Sequence, residues 1–277
     1  MSKTALFDSH IHSCCSHDSN ETLGNICRSA LAKGLKGISI TDHANMSKAE
    51  TEHIFEKIAS SAAEIAEADA RFHGTLRVFS GVEISESRSY PDNAQKLLKL
   101  ADYDVVLGSV HKICMDDWND SYSKIPFDDR VPEAKLRRFL RLYFSELFQM
   151  ASHEDFDVLA HLSCPLRYIN GKYRRQISID EYQDMIEEIL RVVIRRQKAL
   201  EVNTSGINGV YESLMPDEQT LRRYYALGGR MLTLGSDAHA ADRLGNAFGG
   251  TIELLKEIGF SSYCYYQKRQ PVMIPFK

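Results

Sequence analysis

The feature that most constrains this chain is an alternation. Short β-branched or apolar runs are followed, seven times over, by longer stretches with helical period. The runs cover 6–9, 37–41, 77–81, 104–110, 157–160, 199–202 and 231–235, and the helical stretches cover 22–33, 48–70, 91–101, 132–152, 179–197, 217–227 and 250–258. One more strand-like run, 263–266, lies near the C-terminus. Asp180-Glu181 and Pro216-Asp217 are helix-opening pairs, and Gly34 and Gly228 sit where helices would stop. No Gly/Ser linker, low-complexity block or internal repeat divides the sequence, so residues 1–277 are expected to form one α/β domain. Repeated β-then-α units argue for a parallel TIM-like barrel with helices outside; from pattern alone, a doubly wound open sheet is the alternative. Segment 112–130 lacks periodicity and is rich in Asp, Asn and Ser, which reads as a long loop, a candidate lid.

The charge balance removes several functions. Lys and Arg number 34 against 38 Asp and Glu, a net charge of −4, so there is no basic field to attract nucleic acid or an anionic membrane. The arginines at 137, 138, 141, 191, 195, 196, 222 and 223 fall on expected helix faces and read as solvated charge. No apolar run approaches the roughly 20 residues that span a bilayer. Met1-Ser2-Lys3-Thr4 leads straight into a strand-like run with no signal-peptide-like stretch, and the six scattered cysteines form no C-x-x-C pair. A cytoplasmic protein with free thiols is expected; Cys14 and Cys15 read as small packing residues. Homo-oligomerisation stays open, with Tyr143, Phe144 and Phe148 packing on the barrel or on a partner subunit.

The chemistry lies in where the histidines fall. Six of the ten sit at or just beyond the end of an expected strand: His10 and His12, His43, His111, His161 and His239. Glu83 follows the third strand and Asp237 ends the seventh. A barrel builds its active site at the C-terminal ends of its strands, so these residues would converge. Imidazole nitrogens and carboxylate oxygens are the usual ligands of zinc, manganese and iron. His10 and His12, two apart on a strand, point to one side. Taken singly, an H-x-H or a His after a strand is ordinary polar surface; the convergence is what points to metal. His53, His73 and His153 have no such setting and read as surface residues. Asp42 is expected to orient an imidazole.

Several motifs recur in a fixed order: Asp8-Ser9-His10-Ile11-His12-Ser13, Ile40-Thr41-Asp42-His43, Gly81-Val82-Glu83, Gly108-Ser109-Val110-His111, Leu159-Ala160-His161 and Gly235-Ser236-Asp237-Ala238-His239. In them the chain resembles the PHP (polymerase and histidinol phosphatase) family over nearly its whole length. Leu200-Glu201-Val202-Asn203-Thr204-Ser205-Gly206 and Lys268-Arg269-Gln270-Pro271-Val272 are similar to the histidinol-phosphatase branch. The resemblance implies a distorted (β/α)7 barrel and a site for two or three divalent ions, zinc, manganese or iron. It places one ion on His10, His12, Glu83 and Asp237, and a second on Glu83, His111 and His161. A third falls on His43, His239 and either Asp18 or His17, with Asp18 favoured and His17 then a support to the ligands or a substrate contact.

The implied reaction is hydrolysis of a small phosphate monoester, with L-histidinol phosphate the leading substrate and another small phosphate the alternative. Glu83, Asp237 and His239 are the candidate catalytic residues, and His17, His239 and Asp237 are each candidates to protonate the leaving alkoxide. Arg167 matches a position that resembles a phosphate clamp. Asn208 stands where the family often has a second Arg; Arg243 or Lys112 would supply the missing charge. An amidohydrolase-like reaction on an amide or lactone is a rival, but no strand-end Lys stands where that class carries a carbamylated lysine. A complete ligand set argues against a non-catalytic regulator.

Overall fold

The computed structural model describes residues 4–49 and 53–277. Its elements run β1 (Phe7–Ile11), α1 (Leu23–Ala32), β2 (Gly37–Ile40), β3 (His43–Asn45), α2 (Ile54–Phe72), β4 (Arg77–Ser85), α3 (Pro91–Leu98), β5 (Val105–Ser109), α4 (Glu133–His153), β6 (Val158–Leu159), α5 (Cys164–Leu166), α6 (Gln183–Arg195), β7 (Ala199–Asn203), α7 (Glu218–Ala226), β8 (Leu232–Gly235), α8 (Phe248–Ile258), β9 (Ser262–Gln267) and β10 (Gln270–Pro275).

Strands β1-β2-β4-β5-β6-β7-β8 pair in that order and in parallel; β3 prolongs the β2 side and pairs His43 with Glu83 of β4. The sheet closes on itself. Asp237 N donates to His10 O and His12 N to Ala238 O, both at 2.9 Å. This is a distorted (β/α)7 barrel, and the closure excludes the open doubly wound sheet. Parallel strands are covered on both faces and therefore read as apolar runs. Ile38, Ile40, Val78, Phe79, Val105, Val106 and Leu107 are all buried.

Helices cover the outside with amphipathic faces. Helix α4 buries Leu136, Phe139, Leu140, Tyr143, Phe144 and Leu147, which recur at helical spacing. Tyr143 and Phe144 thus belong to the core, and Phe148 packs against it partly buried. Each fully buried large apolar side chain contributes about 1.5–3 kcal/mol. The Thr22 hydroxyl accepts from Asn25 N at the start of α1, and the Asp217 carboxylate from Thr220 N at the start of α7. Gly34 and Gly228 follow α1 and α7 with φ of 76° and 93°, the left-handed backbone that ends a helix. Part of the expected helix 48–70 falls on residues 50–52, outside the described residues.

One expectation changes, and two segments gain a setting. The third strand is longer than 77–81 and runs to Ser85, so Glu83 lies inside β4 rather than after it. The C-terminal run 263–266 is part of an antiparallel hairpin, β9–β10, outside the barrel ring. It lies across the N-terminal ends of the strands: the Tyr263 hydroxyl accepts from Phe7 N, the Tyr266 hydroxyl donates to Asp157 O, and Arg269 pairs with Asp157. Segment 112–130 has no helix or strand, as expected, but Ile113, Met115, Trp118, Tyr122, Ile125 and Phe127 are buried in the main core.

Candidate metal centre

The barrel strands deliver the ligand-type residues to one mouth. From β1, His10 and His12 point the same way, their Nε2 atoms 3.0 Å apart. Glu83, fully buried on β4, lies between them and His43, which opens β3, and the histidines after β5 and β6. Its Oε2 is 3.5 Å from His10 Nε2 and 3.8 Å from His12 Nε2, and its Oε1 is 3.1 Å from His111 Nε2 and 2.7 Å from His161 Nε2. Asp237 Oδ1 is 3.3 Å from His12 Nε2 and 3.8 Å from His10 Nε2. On the outer side, Asp18 Oδ1 lies 3.6 Å from His43 Nε2 and 3.3 Å from His239 Nε2. His17 Nε2 stands 3.8 Å from Asp18 Oδ2. Of the two residues left open in the first loop, Asp18 is the one whose oxygen approaches both imidazoles. His43 faces two ways, since its Nδ1 is 2.7 Å from Glu83 Oε2.

These groups fit metal better than they fit one another. His43 Nδ1, Glu83 Oε2 and His239 Nε2 are buried and make no hydrogen bond, although carboxylates and imidazoles surround them. They crowd together, His43 Nδ1 lying 2.7 Å from Glu83 Oε2 and His239 Nε2 3.3 Å from Asp18 Oδ1, without the geometry of a hydrogen bond, as ligands aimed at a common centre do. Three sets place one ligand atom each within 4.8 Å of the others: His12, His43 and His239; His10, His12 and Glu83; and His43, Glu83 and His111. The all-nitrogen-and-oxygen donor set suits zinc, manganese and iron alike.

The electrostatics agree. Burial alone would hold His10 down, but Glu201, Glu83 and Asp237 outweigh it and raise its pKa well above the usual value. Burial, then His43 and His239, push His12 well down, leaving a neutral imidazole. Glu83 is fully buried, yet His111, His43 and His10 hold it well below the usual carboxylate range. For Asp237, burial is likewise outweighed by His10 and His12. Without cations, the protons on the imidazoles supply the positive charge that the carboxylates require.

Backbone strain accompanies this placement. His161 and Asp237, both just past strand ends, have φ of 23° and 51°, uncommon for residues with a side chain. Gly235, just before Ser236, has no room for more than hydrogen: a Cβ there would lie 2.1 Å from Glu201 Oε1 and 2.8 Å from His10 Cβ.

A cavity of about 290 Å³ opens over the cluster, lined in part by His17, Asp18, His111, Arg167, Asp237 and His239. Arg167 Nη1 donates to Ser205 Oγ at 2.7 Å and Asp237 Oδ2 at 3.4 Å, and Nη2 to the Tyr168 hydroxyl at 2.9 Å. Lys112 lines the same cavity, and segment 112–130 contributes Asn119 to Lys124 to its wall. Arg243 is not there. Its side chain is 58% exposed, and it lines a neighbouring cavity with Asn208, whose amide bonds Asn246. His53, His73 and His153 are exposed, away from the site.

Asp42 corrects an expectation. It touches no imidazole; it accepts from Ser13 N, Ser13 Oγ, Ser16 Oγ and Ser61 Oγ at 2.6–2.8 Å. The Ser16 hydroxyl sits 3.1 Å from His12 Nδ1 and accepts from His43 N, so Asp42 reaches the imidazoles through a serine. Cys14 is exposed and Cys15 half-buried, so neither is core packing, and all six cysteines are free.

Two carboxylates escaped the sequence reading. Glu201 Oε1 lies 2.6 Å from His10 Nδ1, and its Oε2 accepts from His161 N at 2.6 Å. This fixes the ring so that Nε2 faces Glu83 and Asp237. Asp8 accepts from Ser236 N, Ser236 Oγ, Gly245 N and His10 N, clamping the loop after β8 onto β1.

The PHP domain family model matches residues 8–205. The chain is 28% identical over 273 residues to "Probable histidinol-phosphatase" of Clostridium acetobutylicum, covering 95% of this chain and 98% of that one. It is 27% identical to the histidinol-phosphatase of Lactococcus lactis, with 91% of each chain covered. Its fold matches a crystal structure of Lactococcus lactis histidinol phosphate phosphatase complexed with zinc, L-histidinol and phosphate, with a TM-score of 0.75, 24% identity and coverage of 96% and 98%.

Proposed function

This chain belongs to the PHP domain family, and on that premise we propose that it is a metal-dependent phosphate monoester hydrolase whose substrate is L-histidinol phosphate. The observation that carries the reading is the meeting of six imidazoles (His10, His12, His43, His111, His161, His239) and three carboxylates (Asp18, Glu83, Asp237) around one cavity that also holds Arg167. Full-length relatives named histidinol-phosphatase support the substrate.

The proposed ligand assignment keeps the motif order, and the short His–carboxylate distances support it. His10, His12, Glu83 and Asp237 form one group, Glu83, His111 and His161 a second, and Asp18, His43 and His239 a third. Divalent cations held there supply Lewis acidity and lower the pKa of bound water towards neutrality. The chain's own residues do the rest. Glu83 joins the first two groups through its two oxygens. Arg167, anchored by Ser205, Asp237 and Tyr168, presents fixed positive charge to the phosphoryl oxygens. Lys112 adds charge from the same cavity, while Arg243 borders the neighbouring one and adds none there. Of His17, His239 and Asp237, only His17 stands outside the three ligand groups, and from the cavity wall it is the group placed to protonate the leaving alkoxide. Asn208, tied to Asn246, takes no part in phosphate binding. The reaction yields L-histidinol and phosphate in the cytoplasm.

His10→Ala and Glu83→Ala each remove ligands from the centre of the cluster. Both are expected to lose bound metal and phosphatase activity together, measured by elemental analysis and phosphate release. Full metal content with undiminished turnover in either variant would overturn the assignment.

A further inference from the structure

Glu86 is a carboxylate that the metal centre does not use. It lies three residues past Glu83, just beyond the end of β4, with φ of 56°, and it lines the cavity over the cluster. Its position is fixed by its neighbours. Oε1 accepts from His111 N at 3.1 Å, and Oε2 from Ser85 Oγ at 2.8 Å and Ser47 Oγ at 3.5 Å. Among the described residues no Lys, Arg or His lies within 4.0 Å of it as an ion-pair partner, although Lys48 and Lys112 line the same cavity. The remaining carboxylates of that cavity are engaged elsewhere: Asp18 and Asp237 face imidazoles, and Asp120, on an exposed turn, lies 3.8 Å from Lys124. Glu86 also borders a second cavity of about 290 Å³, walled by Ser47, Ser87, Ser109 and Lys112.

A half-buried carboxylate held by the His111 N–H and bordered by the Ser47 and Ser85 hydroxyls, in uncommon backbone geometry and without a cation of its own, is preorganised for a cation from solution. The substrate proposed above, on which this inference rests, carries phosphate at one end and an ammonium group beyond it. We propose that Glu86 is the specificity residue that binds the ammonium group of the substrate's leaving alcohol, while Arg167 and the metal ligands serve the phosphate.

The test uses metal-loaded Glu86→Gln protein and two substrate pairs. L-Histidinol phosphate is compared with p-nitrophenyl phosphate, and ethanolamine phosphate with glycerol 3-phosphate; within each pair only the first carries an ammonium group. Glu86→Gln is expected to lower the preference for the ammonium-bearing member, as the ratio of kcat/KM values, by about tenfold or more, the worth of one charged hydrogen bond. The loss is expected mainly in KM, with weaker inhibition by L-histidinol and partial recovery in Glu86→Asp. A ratio within twofold of wild type in both pairs overturns the proposal, because a structural role through His111 would slow all four substrates alike. A wild-type enzyme that ignores L-histidinol phosphate overturns the substrate reading alone, and the ethanolamine pair still decides on Glu86.

Discussion

Glu201→Gln tests the idea that a carboxylate outside the ligand set controls the metal site. The Glu201 residue is 1% exposed, with one oxygen 2.6 Å from His10 Nδ1 and the other 2.6 Å from His161 N. Both neighbours are donors to a charged acceptor, and Gln offers only one accepting oxygen. If that oxygen faces His10, the new NH2 opposes the His161 N–H. If the amide flips, the NH2 faces His10 Nδ1 and drives its proton to Nε2, the nitrogen turned towards Glu83 and Asp237. Either way one buried charge-assisted bond is lost, about 1.5–3 kcal/mol. Losing such a partner typically costs about 10–100-fold in metal affinity, or about 1.4–2.8 kcal/mol. Zinc affinity is measured by chelator competition and fold stability by denaturant titration on the same samples. Zinc affinity within twofold of wild type, whatever happens to stability, would refute the orienting role.

Other consequences are as direct. Gly235→Ala puts a methyl group 2.1 Å from Glu201 Oε1, and an overpacking cost of about 1–3 kcal/mol with weakened metal binding is expected from melting and metal analysis. Asp18→Asn is expected to remove about one ion per chain and most turnover, whereas His17→Ala keeps the full metal complement; the opposite pattern in elemental analysis would make His17 the ligand. In metal-free protein His43 is pushed up to about 10, because Glu83 and Asp18 outweigh its burial. A folded pKa raised above the unfolded value of 6.5 stabilises fully below that pH and is lost as pH rises towards 10. Metal-free protein should therefore lose stability over that window by denaturant titration, while loaded protein, with a cation in place of the proton, holds it. Parallel pH profiles for the two forms would contradict this.

The barrel and most of the site were legible because the signals were chemical as well as periodic. Histidine is scarce, and its recurrence after strand after strand has few explanations besides a shared ligand cluster. Glu201 carried a usable signal that went unread: a carboxylate inside Ala199–Asn203, a strand buried on both faces, must have a buried partner. Asp8 hid in the same way beside the H-x-H pair. Adjacency to His43 suggests an imidazole partner for Asp42, but side chains next to one another on an extended chain point opposite ways, and a serine makes the link. Glu86 and the buried aromatic residues of 112–130 had no readable signal. The first depends on a left-handed backbone turn, the second on long-range packing by a segment without period.

The most direct test is phosphate release by metal-stripped protein reloaded with zinc or manganese, offered L-histidinol phosphate beside nucleotide and sugar phosphates. The account predicts metal-dependent hydrolysis with a strong preference for L-histidinol phosphate. Hydrolysis of other monoesters alone would contradict the substrate, and no hydrolysis of any by fully loaded protein would contradict the phosphatase reading itself.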